Sequence, residues 1–145
     1  MELLERRKIQ YDGVHCRFDL EQLSPRAMLL KISGTDVGEF GEAPMLTLSE
    51  WLAGTTTPVE LFPVDFFIDA RDVRGASIDV SGEWAQWLGS HKDRLRKVTM
   101  LTGSRFIHIT AEFVRRFADL EGKMWICTEP EVFDRALSEA QEIHV

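Results

Sequence analysis

Three short stretches gather the residue types that could do chemistry. Residues 69–82 read Asp-Ala-Arg-Asp-Val-Arg-Gly-Ala-Ser-Ile-Asp-Val-Ser-Gly. Asp69, Asp72 and Asp79 supply carboxylates, and Ser81-Gly82 stand where a helix is expected to begin. Free N–H groups and the helix dipole attract anions at such a start. The stretch is therefore a candidate surface for a ligand or partner, with Ser81 a candidate for phosphorylation. Ser and Asp are also the preferred N-caps, so Ser81 or Asp79 could be a plain cap. Residues 102–105, Thr-Gly-Ser-Arg, could cradle a phosphate through backbone N–H groups and Arg105. They match neither a Walker loop nor GxGxxG, and read first as an ordinary turn around Ser104. Residues 128–130, Thr-Glu-Pro, close the set.

Other chemistry finds less support. Asp65, Asp69 and Asp72 offer the oxygen ligands that Mg²⁺ prefers, but Asp65 and Asp69 are spread along one expected strand, and no metal is expected. His15, His91, His108 and His144 show no ligand or triad spacing, and GxSxG is absent. His91 is expected on the inner face of its helix. Cys127 and His108 could pair as nucleophile and base only if the fold brought them together. No catalytic residue and no cofactor is expected.

Composition narrows the classes further. The chain has 145 residues and a formal charge of -7, which suits one domain over residues 1–145 and argues against a general nucleic-acid binder. The clusters Arg6-Arg7-Lys8 and Arg94, Arg96, Lys97 read as solvated surface. Cys16 and Cys127 form no CxxC pair and are expected as buried free thiols. The N-terminal residues carry charges where a signal peptide needs an apolar core, and no apolar run reaches the roughly 20 residues of a membrane helix. A cytoplasmic location without an integral membrane segment is the expectation.

The elements that must position these residues follow from periodicity. In residues 14–20, Val14, Cys16, Phe18 and Leu20 alternate with polar neighbours, the pattern of a half-buried strand. Residues 27–33 form a second strand, and the two pair as an antiparallel hairpin. Residues 34–43 read as a loop. A helix over 44–52 turns Met45, Leu48, Trp51 and Leu52 inward and stops at Gly54, followed by a loop over 55–58. Residues 64–70 are nearly continuous apolar and aromatic, as in a central strand covered on both faces. A helix over 81–95, a strand over 97–101, a helix over 110–120 capped by Thr110, a strand over 123–128 and a helix from Pro130 complete the order. The third helix is expected to turn Phe113, Val114, Phe117 and Leu120 inward, and the last Phe133, Ala136, Leu137 and Ala140. Strands alternating with helices imply a mainly parallel sheet, made mixed by the first hairpin. Trp51, Trp84, Trp87 and Trp125 belong either to the core or to a pocket or dimer surface.

A strand, an acidic loop, Asp-x-Ser-Gly and an amphipathic helix resemble the STAS domain of sulfate transporters and anti-sigma-factor antagonists. The matching residues are Asp69, Asp79, Ser81 and Gly82, and the later order of elements also matches. Regulated members resemble Asp-Ser-Ser-Gly; here Val80 stands directly after Asp79 and only Ser81 remains. The chain is thus similar to divergent, stand-alone STAS-like proteins. The resemblance implies an α/β fold and a non-enzymatic regulatory or protein-interaction module, binding a protein partner or itself as a homodimer. A carrier or sensor of a small lipid-like or anionic ligand is the alternative it leaves open.

Overall fold

The computed structural model describes residues 7–53 and 63–142. Arg6, His144, the Gly54 stop and the loop over 55–58 lie outside the described residues. The elements run β1 (Lys8–Asp12), β2 (Cys16–Ser24), β3 (Ala27–Asp36), α1 (Ala43–Ala53), β4 (Val64–Ala76), α2 (Ile78–Ser90), β5 (Leu95–Thr102), α3 (Arg105–Phe117), β6 (Met124–Cys127) and α4 (Pro130–Glu142). Among the described residues six strands form one sheet in sequence order. β1, β2 and β3 are antiparallel neighbours, and β3 to β6 run parallel. This is the mixed α/β sheet the sequence implies.

Alternation along the strands builds a core on each face. Phe18, Leu20, Met28, Leu30, Phe66, Ile68 and Val98 pack against Leu48, Trp51 and Leu52 of α1, Ala85, Trp87 and Leu88 of α2, and Val114 of α3. Phe67 and Leu101, one residue out of phase, face the other way with Leu23 and Ala27, under Phe133 and Ala140 of α4. Three helices thus cover one face and α4 covers the other. The inner residues expected of α1 and α4 are the ones that pack. No described helix is long and apolar enough to cross a membrane.

Several expectations need correction. β1 is a strand that periodicity misses, because it is a largely exposed edge strand with Tyr11 as its most shielded residue. It pairs Lys8 with Glu21 and Tyr11 with Phe18. Residues 69–76 are not a loop: β4 runs on to Ala76 and β3 to Asp36, each supplying the other's hydrogen bonds beyond the end of β5. α2 starts at Ile78 and ends at Ser90; Leu95 belongs to β5. α3 starts at Arg105, capped by Ser104 rather than Thr110. Its inner face is Ile107, Ala111 and Val114, whereas Phe113 and Phe117 are exposed. Just past the end of α3 the packing is close, since a Cβ on Gly89 of α2 would lie 3.3 Å from the Ala118 carbonyl.

The tryptophans divide. Trp51 and Trp87 are core, Trp84 is half-buried, and Trp125 is 56% exposed on β6. Both cysteines are free; Cys16 is buried and Cys127 half-buried. The cluster at 94–97 is structural. Arg96 holds Asp65 through two bonds of 2.7 Å, Arg94 donates to the Leu52 carbonyl, and the Lys97 ammonium lies 5.5 Å from the centre of the Trp125 ring.

Candidate functional site

Parallel strands present their loops, and the N-termini of the helices that follow, at their carboxyl ends. Here that edge is formed by the extended β3–β4 pair, the first turn of α2 and the loop from β5 into α3. Its local geometry rests on two serine caps. Ser77 Oγ accepts from the Val80 N–H at 3.1 Å, and Ser104 Oγ accepts from the Ile107 N–H at 3.2 Å. Each satisfies one donor that a helix start leaves free. Neither Ser81 nor Asp79 is the cap of α2. The Ser77 backbone N–H also donates to the Asp36 carbonyl at 3.0 Å, which ties the helix start to β3.

The sequence-derived candidates fall into separate places. Asp69 is 6% exposed and points to the α4 side. It accepts from the Arg71 N–H at 3.2 Å and from Arg71 Nε at 3.0 Å, while Arg71 Nη2 reaches Asp134 of α4 at 2.7 Å. The two carboxylates, Asp134 first, raise the guanidinium's proton affinity further. This cluster fastens α4 to β4. Asp72 and Asp79 are exposed, on β4 and in the first turn of α2. Ser81 is 7% exposed and its hydroxyl donates to the Ser77 carbonyl at 3.1 Å. A kinase could reach it only after the first turn of α2 opened. Gly82 faces open space, so its missing side chain is not demanded by packing. Ser104 and Arg105 are exposed. Gly103 is demanded, because a Cβ there would collide with the Arg71 carbonyl of β4. The 102–105 loop therefore lies directly against β4.

The remaining reactive groups are held in structural contacts. Cys127 Sγ donates to the Met100 carbonyl at 3.4 Å, and burial raises its thiol. His108 Nδ1 lies 3.4 Å from Thr102 Oγ1, and its Nε2 lies 3.1 Å from Glu112 Oε1. The Cys127–His108 pairing is not assembled. His91 ends α2 instead of facing inward from it, stacks on Trp87 at 4.5 Å and has Nδ1 2.9 Å from the Trp87 carbonyl. Cys16 is pushed up to about 12, chiefly by burial and next by Glu39. Among the described residues no group of three or more His, Cys, Asp and Glu could hold a metal.

Sequence reasoning missed what lies beneath the edge. Between α2 and α3 is a cavity of about 80 Å³, lined by Ile32, Val73, Val80, Trp84, Ile107 and Ala111, with Asp36 and Ser81 at its wall. Asp36 is 6% exposed and accepts from the Gly38 N–H at 3.1 Å. Burial raises its pKa, and hydrogen bonds from the Gly38 backbone and the Trp84 side chain oppose that shift. The cavity is about half the size of one that admits benzene, roughly 150 Å³. Asp36 escaped notice because it sits among glycines in a segment read as loop. Ile78 escaped too, although Ser77 before Ile78-Asp79 is a recognisable helix start.

No family model matches the sequence, and no curated protein matches it. Solved structures do resemble the fold. One is an uncharacterized protein of the DUF3478 family with a SpoIIAA-like fold, from Shewanella loihica PV-4. Its TM-score is 0.58 at 16% identity, over 88% of this chain and 98% of that one. Another is the anti-sigma factor antagonist SpoIIAA in its unphosphorylated form, with a TM-score of 0.54 at 16% identity, over 83% of this chain and 96% of that one. The chain therefore has a SpoIIAA-like, STAS-like α/β fold.

Proposed function

We propose that the chain is a non-enzymatic regulatory module that recognises a protein partner at the carboxyl edge of its parallel strands. Asp72, Ile78, Asp79, Ser104 and Arg105 form the contact surface. The observation that carries this reading is Ile78, a large apolar side chain left 86% exposed in the first turn of α2, beside exposed Asp79. An apolar anchor within a polar rim is the composition of a protein interface. The fold shared with an anti-sigma factor antagonist points the same way. Ser81 acts here as a buried structural hydroxyl. The pairing of Asp69, His108 and Cys127 with structural partners supports recognition over catalysis. A carrier of a lipid-like ligand finds less support, because the cavity would admit one only if α2 and α3 parted.

Affinity capture with the full chain, run in parallel with Ile78→Asp, tests the reading. The expected result is a protein retained by the wild type and depleted at least about tenfold by the variant, the loss that truncating a central anchor gives. Equal retention by both chains, or no retained protein, would overturn it.

A further inference from the structure

The third helix carries two apolar faces. Ile107, Ala111 and Val114 are buried in the core, while Phe106, Ile109, Phe113 and Phe117 are 62%, 56%, 44% and 71% exposed. The exposed four follow spacings of three, four and four residues, which places them in one row along the outside of a helix. The Phe113 and Phe117 rings already lie 5.0 Å apart, tilted by 38°. A continuous row of four exposed apolar side chains is a patch of the kind that marks an interaction surface.

The size and symmetry of the row say what covers it. Taking aromatic side chains at 150–250 Å² each, it offers roughly 400–500 Å² of apolar surface. A stable interface buries about 800 Å² per partner, with an apolar centre and a polar rim. The row has the area of such a centre, and exposed Arg105, Glu112 and Arg116 flank it as a rim. It is also nearly self-complementary. Reversing the helix about Ala111 exchanges Ile109 with Phe113 and brings Phe106 and Phe117 to within one position of exchanging with each other. Isologous contact about a two-fold axis requires this of a surface. The same operation sets Arg105 beside the second copy's Phe117 and Arg116 beside the second copy's Phe106, in reach of cation–π contact.

We propose that the outer face of α3 is the interface of a symmetric homodimer, in which two α3 helices pack antiparallel through Phe106, Ile109, Phe113 and Phe117. This surface shares only Arg105 with the edge around Ile78, and its apolar row does not depend on the reading given to that edge.

Sedimentation of the full chain over a wide concentration range tests it, beside Phe113→Glu and Phe117→Glu. The wild type is expected to pass from 16.6 kDa to twice that mass as concentration rises. Each variant is expected to weaken the dimer about a hundredfold or more, as loss of a central aromatic anchor does, with an unchanged circular dichroism spectrum. Register is tested by a mixture of Ile109→Cys and Phe113→Cys chains, in which the mixed disulfide should form faster than either symmetric one. A wild type monomeric throughout, a dimer that survives both charged variants, or no preference for the mixed disulfide would overturn the proposal. A monomer that co-sediments with phosphatidylcholine or phosphatidylglycerol vesicles would give the face to a membrane instead.

Discussion

Two single residues carry effects of opposite origin. Gly82 lies inside α2 and a Cβ there would meet nothing within 4 Å. Glycine in a helix interior costs about 0.5–1 kcal/mol relative to alanine. Gly82→Ala is therefore expected to raise stability by about that amount in urea denaturation. Asp36 shows the opposite balance, since its folded pKa is raised above 3.8, chiefly by burial. The folded chain holds this proton at pH values where the unfolded chain has released it, so the residue's contribution to stability falls as pH rises through that window. Asp36→Asn keeps an acceptor for the Gly38 N–H but cannot ionise. The variant is expected to gain on the wild type as pH rises above 3.8, the ordinary value that the unfolded chain keeps. Paired denaturation curves at each pH check this, and a constant difference would refute it.

At the scale of elements, the helix starts and the loop pressed on β4 decide the geometry of the edge. Ser77→Ala and Ser104→Ala each remove a side-chain acceptor for a helix N–H. Each is expected to cost about 1 kcal/mol. Ser81→Ala should cost less, because its hydroxyl donates to a carbonyl that already accepts the Ser81 backbone N–H. If Ser81→Ala proves the most damaging of the three by thermal denaturation, the assignment of the cap is wrong. Gly103→Ala should exceed all of them, because the new Cβ would meet backbone rather than a yielding side chain. α3 was half legible: its apolar residues are evident from spacing, but two faces were available. Small Ala118 sits inward where α2 approaches closely at Gly89, with no room for a phenylalanine.

Across the whole molecule, the second core depends on one ring. Phe133 of α4 is fully buried, with its centre 6.0 Å from that of Phe67. Among the described residues α4 is the one helix packed on that face, so Phe133→Ala should cost about 3–5 kcal/mol and raise amide exchange first along α4. Uniform exchange over all elements would show that the two faces do not open separately.

Much of this architecture was legible in the chain because burial follows local periods. Alternation over 14–20, the apolar run over 64–70 and the helical rows ending in Leu52 and Ala140 identified a mixed sheet with helices from its connections. Asp79-Val80-Ser81-Gly82 pointed to the STAS-like likeness that the fold then displayed. Position across the sheet was not legible. β1 is held by pairing with β2 and not by its own apolar pattern, and the reach of β4 to Ala76 depends on β3 running beside it. The aspartates that look like one acidic site in sequence separate in space: strand alternation sends Asp69 to the α4 side, while Asp79 starts a helix on the other. Local spacing determines which residues can be buried, but only the packing of whole elements decides which face turns inward and which stays open for a partner.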